Sequence, residues 1–486
     1  MNTTASEESV RQAEPIKPIA KANSLAFGWR VLCGIGLGAV CAFCFPPHAS
    51  PWLLPFALTG LLALLSGMTQ RQASYIGLGF GTALSAIALR WLWGMFGPAA
   101  VSLWVLIGAF TTATCGLTVW LRGRLPRVPF PLIAALAWTG IEYFRSEPMR
   151  FSFAWMGVGY GLVDYPLPCR IAAIVGSYGV TFLVVGWCAY AATAKRLPLV
   201  ALRMAPLALL FVPYSHVLPA PDPAGSFQVR LVQANSEDDE SLFRLSQLPA
   251  GSSVRLTVWP EYSFVSDPRP NAKLWHQLGE TARQNRSYLL FGAKDEFDPK
   301  EDTHFRNTAF LLDPSGNFIG KHVKNHTVHF IKDGVAGTDA HVFPTSFGTF
   351  GVGICFDMDY PDVARRLVEN GAESLIVPSD NPLEWGPVQH AQHRQLFQMR
   401  AVECGRWLAT TDVAGNTFLV APTGQITQSV QTTDPASLDV TVGRSQARTL
   451  FLRGGWRFGQ ICFAALGLIF LWAVFRPEPR FSRLDD

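Results

Sequence analysis

Charged residues are scarce in this sequence. Only 16% of its 486 residues are Asp, Glu, Lys or Arg, whereas a soluble domain carries about 25%. Hydrophobic residues make up 49% of the chain, and disordered proteins have few of them. The composition therefore argues against a purely soluble enzyme and against a disordered chain. It predicts a membrane protein with a soluble part.

Signatures of several other protein classes are also absent. The net charge is only +4 and no polybasic block occurs, so we expect no nucleic-acid partner. No GxGxxG motif or P-loop is present, and we expect no nucleotide or other cofactor. The nine cysteines are odd in number and most lie in apolar runs, which argues against a disulfide scaffold.

Two pairs of histidines have a spacing that occurs in metal sites, His326 with His329 and His390 with His393. No Cys pair or carboxylate motif completes either set, so we expect no metal ion. His390 is better explained as a residue that orients a loop in the substrate-binding region. Nothing in the sequence demands a partner subunit, and we expect a monomer.

Long apolar runs account for much of the hydrophobic content. A helix needs about 20 apolar residues to cross the hydrocarbon core of a bilayer. Eight candidate runs occur, at 25–45, 51–68, 74–96, 100–121, 128–144, 170–192, 198–217 and 458–475. They predict a multi-pass α-helical membrane domain of about eight transmembrane helices, with a long polar insert before the last helix.

The basic residues of the short loops predict the orientation, since Lys and Arg are enriched on the cytoplasmic side. They fall on one side of the predicted bundle, at Lys17, Lys21, Arg30, Arg71, Arg122, Arg124, Arg127, Lys195, Arg196, Arg203, Arg476, Arg480 and Arg483. The 145–170 loop on the other side is an exception, with three Arg residues of its own. We expect both termini in the cytoplasm and the insert on the opposite face. Arg90 and Glu142 fall in or beside apolar runs, either as functional charges or as side chains that reach the interface.

The insert has a different pattern from the rest of the chain. Short β-rich runs alternate with helical stretches after a Pro-rich linker, which indicates an α/β domain. The expected domains are a cytoplasmic tail at 1–24, seven membrane helices at 25–217, a linker at 218–225, a catalytic domain at 226–450, an eighth helix at 451–475 and a second tail at 476–486.

Three places in the insert are candidates for chemistry. Glu261 follows a strand that Pro260 ends, Lys324 lies in a basic loop after a turn, and Cys355 ends an apolar strand before a helix. A Cys at such an elbow is presented to a pocket, as nucleophiles of α/β enzymes are. Each has an ordinary alternative: a solvated Glu, a surface loop, and a buried structural Cys.

The ordered set of Glu261, Lys324 and Cys355 resembles the Glu-Lys-Cys triad of the nitrilase (carbon–nitrogen hydrolase) superfamily. With the membrane helices, the chain resembles the apolipoprotein N-acyltransferases of bacterial inner membranes over nearly its whole length. The matching stretches are Trp155–Tyr160, Asp164–Pro166, Gly179–Leu183, Leu231–Asn235, Trp259–Glu261, Lys324–His326, Ile354–Asp357, Gln389–His390 and Met399–Glu403. The resemblance implies an αββα sandwich for the insert, on the periplasmic side.

The resemblance also implies a reaction. Members of this family move an acyl chain from a phospholipid to the α-amine of the N-terminal diacylglyceryl-cysteine of a lipoprotein. Cys355 would hold the acyl group as a thioester, Glu261 would move protons, and Lys324 would favour the thiolate and stabilise the oxyanion. Both substrates are lipids, which explains the membrane half.

The sequence departs from the family pattern around the presumed pocket. Where the family has a second Glu after the catalytic Lys, this chain has Lys332, with Asp333 one residue later. Phe356 and Asp357 replace the usual Tyr-Glu after the Cys, and the loop with Trp385 also differs. We take Phe356, Asp357, Trp385, His390 and Asp333 as candidate substrate-binding residues.

Two other functions remain open on the sequence alone. A related membrane acyltransferase or amidase would use the same triad with another acceptor, and the changes at Lys332 and Trp385 are its support. The alternative from a different class is a catalytically silent binding protein or a transporter with a soluble cap. Such a transporter would more naturally show paired broken helices or repeats, which the sequence lacks.

Overall fold

The computed structural model describes residues 19–48, 50–212, 224–235, 238–297 and 304–476. In the first helix the side chains are described from residue 26 onward. Most of the N-terminal tail, most of the linker and most of the C-terminal tail that the sequence predicts lie outside these residues. The same holds for Lys17, Arg480 and Arg483, and for the side chain of Lys21.

Within the described residues, nine α-helices belong to the membrane half. They are α1 (Ile19–Ala42), α2 (Leu54–Leu64), α3 (Gln70–Ala88), α4 (Leu92–Phe96), α5 (Ala99–Arg124), α6 (Phe130–Ser146), α7 (Pro166–Ala192) and α8 (Leu197–Met204), with α13 (Phe458–Phe475) returning after the insert. A 3-10 helix at Ala205–Phe211 extends α8. Each of the eight segments that the sequence predicts to span the membrane contains helix among its described residues.

Three stretches of the described residues are long and apolar enough to cross a membrane, namely Ala99–Arg124, Pro166–Ala192 and Gly455–Phe475. Shorter apolar helices lie at Ala26–Ala42, Pro51–Leu64 and Leu197–Phe211. The helical membrane domain is therefore confirmed, whereas the count of eight spanning helices stays a prediction.

The charged residues in and near these helices have distinct surroundings. Arg90 is exposed at the turn between α3 and α4. Glu142 is buried in α6 and accepts hydrogen bonds from the Thr181 hydroxyl at 2.7 Å and from the backbone N–H of Val158 at 3.2 Å. At the far end of the bundle an Arg124 guanidinium nitrogen donates to the carbonyl of Arg476. The basic ends of α5 and α13 thus lie together, as the loop charges predict.

The insert forms two six-stranded sheets packed face to face. The strands of the first sheet run in the order β12-β1-β2-β3-β4-β5 and those of the second in the order β11-β10-β9-β8-β7-β6. The bounds are β1 (Ser226–Gln233), β2 (Val254–Val258), β3 (Tyr288–Glu296), β4 (Phe305–Leu312), β5 (Phe318–Val323), β6 (Val342–Thr345), β7 (Gly348–Val352), β8 (Ser374–Pro378), β9 (Leu408–Thr411), β10 (Phe418–Val420), β11 (Ile426–Ser429) and β12 (Ala436–Gly443). Strands β1, β2 and β3 are parallel to one another, as are β7, β8 and β9.

Helices cover the outer face of each sheet. Leu278 of α10 (Ala272–Asn285) and Leu242 of α9 (Asp239–Ser246) pack on the first sheet in one apolar cluster, and α11 (Pro361–Glu369) and α12 (Gly386–Cys404) pack on the second. A third cluster, which includes Val229 and Ile376, fills the space between the sheets. The predicted αββα sandwich is therefore what the chain adopts.

The polar helix α12 joins the two halves of the molecule. Most of its residues are buried, because it lies between the second sheet and the membrane helices. The Gln392 side chain accepts from the indole of Trp91 at 3.0 Å and donates to the carbonyls of Ala88 and Pro46. The Glu403 carboxylate accepts from the backbone N–H of Ser177 at 3.0 Å, next to a kink in α7 where Gly176 has a φ of +71°. These bonds fix the soluble domain against the membrane half.

Candidate active site

The ends of three strands bring the candidate residues together. Glu261 follows β2, Lys324 follows β5, and Cys355 lies three residues beyond β7. Lys324 Nζ is 2.7 Å from Glu261 Oε1 and 2.8 Å from Asp333 Oδ2. All three of these charged side chains are buried. The structure thus places one ammonium group between two carboxylates.

Two further side chains hold the carboxylates in position. The Asn307 amide nitrogen donates to Asp333 Oδ1 at 2.7 Å and also to Glu261 Oε1. The Tyr262 hydroxyl donates to Asp333 Oδ1 at 2.8 Å, and the backbone N–H of Val328 donates to Asp333 Oδ2 at 2.8 Å. Asp333 is therefore fully engaged by donors.

The pKa values of the two carboxyl groups are shifted in opposite directions. Burial raises the pKa of Glu261, and the Lys324 ammonium only partly offsets this. Burial also acts to raise the pKa of Asp333, but Lys324 and the hydrogen bonds hold that pKa below its usual value. Burial alone would lower the pKa of Lys324, yet the two carboxylates raise it well above its usual value. Glu261 is thus the group suited to take up and release a proton, while Asp333 and Lys324 stay charged.

Cys355 occupies a strained turn. Its φ is +45°, a left-handed conformation that non-glycine residues seldom adopt. The buried carboxylate of Asp357 fixes this turn, since it accepts backbone N–H groups of Ile354 at 3.0 Å, Asn325 at 2.9 Å and His326 at 2.8 Å. One carboxylate therefore ties the Cys355 turn to the segment that carries Lys324.

The Cys355 thiol rests in its neutral form. Burial raises its pKa well above the usual value, the Glu261 charge raises it further, and the Lys324 charge acts in the opposite direction. Its Sγ atom is 4.0 Å from the carbonyl oxygen of Asp380, which it contacts as a weak donor. A reaction at this thiol needs a base, because the thiolate is the nucleophile.

Cys355 lines a cavity of about 160 Å³ to which both halves of the molecule contribute. The membrane half contributes Trp91, Leu92, Met95, Phe96, Leu103, Leu106, Ile107 and Phe110 from α4 and α5, then Arg145, Met149, Phe151, Ser152, Phe153 and Trp155. The soluble domain contributes Val328, His329, Phe330, Cys355, Phe356, Trp385, Gln389 and His393. Apolar and aromatic side chains dominate this lining, which suits a hydrocarbon ligand.

An aromatic contact bridges the two halves at this cavity. The rings of Phe151 and Phe330 stack with their centroids 5.3 Å apart, and Phe96 meets Phe330 edge to face at 6.3 Å. Phe330 has a φ of +67° and is 67% exposed. The segment that follows Lys324 therefore presents an apolar ring beside the membrane helices.

The remaining predicted residues fall into two groups. Phe356 and Trp385 line the cavity, and their part in substrate binding stays a prediction. Asp357 and His390 are not among the residues that line it, since Asp357 fixes the turn described above and a His390 ring nitrogen is 3.2 Å from the carbonyl of Pro382. Their roles as binding residues stay predictions, and the contact of His390 agrees with its expected part in orienting a loop.

Sequence reasoning missed several residues of the site. Asn307 and Tyr262 contact the charged cluster, and Gln389 and His393 line the cavity. Asn307 is a buried amide in β4, between Arg306 and Thr308, so no break in an apolar pattern marks it in the sequence. The position of Tyr262 beside Glu261 is the signal that could have found it.

Comparisons with known proteins cover almost all of the chain. The model of the carbon-nitrogen hydrolase family matches residues 228–449, and that of the apolipoprotein N-acyltransferase N-terminal domain matches residues 37–190. A protein from Gloeobacter violaceus named apolipoprotein N-acyltransferase is 26% identical, over 93% of this chain and 95% of its own. Proteins of the same name from Photobacterium profundum and Azotobacter vinelandii are 24% and 27% identical, over 88% and 87% of this chain and 92% and 91% of theirs.

Solved structures resemble the soluble part. Nit3 of Saccharomyces cerevisiae, a member of branch 10 of the nitrilase superfamily, is 23% identical with a TM-score of 0.38, over 46% of this chain and 93% of that one. An amidase from Nesterenkonia sp. is 18% identical with a TM-score of 0.37, over 49% and 95%. The two family models match residues 37–190 and 228–449, and the relatives align over 87–93% of this chain. This chain belongs to the apolipoprotein N-acyltransferase family, whose members join a helical membrane domain to a domain of the nitrilase superfamily.

Proposed function

We propose that this protein is an apolipoprotein N-acyltransferase that carries an acyl chain from a phospholipid to the α-amine of a lipoprotein's diacylglyceryl-cysteine. One observation supports this most directly. The Cys355 thiol faces an apolar cavity built by membrane helices and the soluble domain together. A lipid acyl chain can enter such a site without crossing water, and each buried methylene group contributes about 0.8 kcal/mol.

The first half of the reaction forms a thioester. The Glu261 carboxylate takes the thiol proton of Cys355, and the sulfur attacks the ester carbonyl carbon of the phospholipid. The carbonyl oxygen becomes an oxyanion, which the Lys324 ammonium stabilises. The ester C–O bond then breaks, the leaving oxygen receives the proton from Glu261, and a lysophospholipid departs as an alcohol.

The second half transfers the acyl group to nitrogen. The neutral α-amine of the acceptor attacks the thioester carbon, and one amine proton passes to Glu261. The C–S bond breaks, and the sulfur of Cys355 regains a proton from Glu261. The products are an amide and the free thiol, so the enzyme returns to its starting state.

The contact between Asp333 and Lys324 helps to decide which acceptor the enzyme uses. Lys332 stands where the family has a Glu, and this departure is the main support for a different acceptor. In the structure Asp333, one residue later, is 2.8 Å from Lys324. Asp333 can therefore supply the second carboxylate, and the departure no longer favours an amidase over an N-acyltransferase.

The place of the protein in the cell is part of the proposal. We infer that it is a monomer in the bacterial inner membrane, with the soluble domain of residues 226–450 on the periplasmic side. The basic ends of α5 and α13, which lie together, support a cytoplasmic position for that end of the bundle.

Intact-mass spectrometry tests the reaction. Purified protein is incubated with a phospholipid of known acyl chains, beside a Cys355→Ala control, and a diacylated lipopeptide is then added. We expect a fatty-acyl mass on the wild type alone, followed by its loss and the appearance of a triacylated peptide. An acyl mass that the lipopeptide cannot clear would point to another acceptor. No acyl mass with any phospholipid would refute the proposal.

A further inference from the structure

A buried acceptor on the cavity wall has no part in the chemistry above. Gln389, near the start of α12, is 2% exposed and its side chain lines the cavity that Cys355 faces. Among the residues that the structure describes, its Oε1 atom has no hydrogen-bond partner. Buried polar atoms are nearly always paired, so an unpaired one beside a cavity points to a ligand.

Neighbouring side chains fix the orientation of the Gln389 amide. The Asp412 carboxylate can only accept, and it takes the backbone N–H of Asn381 at 2.8 Å and the side-chain Nδ2 of Asn381 at 2.7 Å. Asn381 Oδ1 then accepts from Gln389 Nε2 at 2.8 Å and from His393 Nδ1 at 2.8 Å. The reversed amide would set the Gln389 oxygen against the Asn381 oxygen. Oε1 is therefore the atom left to a ligand.

The same loop brings this acceptor to the reacting thiol. The carbonyl oxygen of Asp380 is 4.0 Å from Cys355 Sγ. The next residue, Asn381, holds the Gln389 amide. Adjacent residues of one loop thus contact the Cys355 thiol and the Gln389 amide.

We propose that Gln389 Oε1 accepts a hydrogen bond from the α-amine of the acyl acceptor and thereby directs the nitrogen lone pair at the thioester on Cys355. This assignment rests on the proposed function. An uncharged amide oxygen suits the task, because the attacking amine must be neutral. A carboxylate at the same place would favour the ammonium form, which has no lone pair to react.

The amine of a phospholipid headgroup, such as that of phosphatidylethanolamine, is a second candidate hydrogen-bond donor to Gln389 Oε1. The position of Gln389 favours the acceptor. The headgroup departs with the lysophospholipid, whereas the acceptor nitrogen must reach the carbon atom bonded to sulfur. The two sources make different predictions for the two half-reactions.

The experiment compares full-length wild type, Gln389→Met and Gln398→Met. Gln398 is a matched control on the same helix, because it is 3% exposed but bonds Asp164 and Gly424 and is not among the residues that line the cavity. Acylation of Cys355 is followed by intact mass with phosphatidylethanolamine or with phosphatidylglycerol. Transfer is then timed at several concentrations of a diacylglyceryl-cysteine peptide.

We expect Gln389→Met to take up acyl groups from both lipids as the wild type does. Its transfer to the peptide should be at least about tenfold slower, with a raised KM for the peptide, as for loss of one hydrogen bond to substrate. Gln398→Met should match the wild type in both half-reactions.

Three results would overturn the assignment. One is transfer by Gln389→Met at the wild-type rate. Another is loss of acylation from phosphatidylethanolamine alone, which would assign the oxygen to the headgroup. The third is equal slowing in Gln398→Met, which would show a structural effect of changing α12. A wild-type protein that takes up no acyl group would instead refute the proposed function, and this assignment with it.

Discussion

The Glu261 carboxylate has two opposing effects on Cys355. Its negative charge raises the pKa of the thiol, so less thiolate forms at neutral pH. The same group is the base that the proposed mechanism needs for the thiol proton. A single substitution can separate these effects, because the amide of Gln has the shape of the carboxylate without its charge or its basicity.

We expect Cys355 to be alkylated faster in Glu261→Gln than in the wild type. The same variant should lose acyl transfer. Removing the charge lowers the pKa of the thiol and increases the thiolate fraction, and losing the base costs about 10²–10⁴-fold in rate. The measurements are iodoacetamide modification of Cys355 followed by peptide mass, and acyl-enzyme formation from phospholipid. Glu240→Gln, on the exposed surface of α9, serves as control. Slower alkylation of Cys355 in Glu261→Gln would contradict the electrostatic argument.

Asp333 and Lys332 give a second residue-scale prediction. Asp333→Asn leaves the buried Lys324 with one carboxylate, and removing one partner of a buried ion pair costs up to about 3–5 kcal/mol. We expect a lower thermal midpoint and much slower acylation of Cys355, while Lys332→Ala, at an exposed position, stays near the wild type in both. Thermal unfolding and intact mass measure these quantities. The opposite ranking of the two variants would show that Asp333 does not act as the second carboxylate.

Helix α5 separates two cavities. Ile107, Phe110 and Arg145 line both the cavity at Cys355 and a second one of about 50 Å³ between α3, α5 and α6. The wall they form closes the first cavity on that side. If the acyl chain lies there, as we propose, Phe110 limits how long a chain fits.

We therefore expect Phe110→Ala to shift acylation toward longer chains and Phe110→Trp to shift it toward shorter ones. Joining the cavities adds length, whereas a larger ring removes it. The mass distribution of acyl-enzyme from a phospholipid mixture of defined chain lengths measures the shift. Val105→Ala, which changes an exposed position of the same helix, should leave the distribution unchanged. Identical distributions in all variants would mean that the chain ends elsewhere.

The elements also differ in how far sequence can predict them. Apolar strand patterns that stop near Glu261 and Cys355 mark these two residues in the sequence. Lys324 lies in a basic loop after a turn, and only the ordered set and its resemblance to the triad mark it. In α12 the polar residues are buried on all sides, so no periodic pattern separates the cavity-facing Gln389 from its neighbour His390. The pairing of Lys324 with Asp333 depended on the path of a loop, which spacing alone does not determine.

At the scale of the whole molecule, the proposed orientation can be mapped directly. In a Cys355→Ala background, Ser315→Cys places a thiol in the exposed β4–β5 turn and Arg127→Cys places one in the exposed α5–α6 loop. We expect a membrane-impermeant maleimide to label the first in cells with a permeabilised outer membrane, and the second only after lysis. The Cys355→Ala parent, which has neither introduced thiol, measures how much label the native cysteines take up. The reverse labelling pattern would place the soluble domain in the cytoplasm.

The cavity wall comes from distant parts of the chain, including α4, α5, the 149–155 loop, the Phe330 segment and α12. Any hydrocarbon that fills it touches both halves at once and favours their assembled state. By mass action, a ligand that binds only the folded protein adds to its free energy of unfolding as its concentration rises. The membrane lipid would then be a substrate and would also stabilise the interface between the two halves. Removing it with detergent would weaken this interface before either half unfolded.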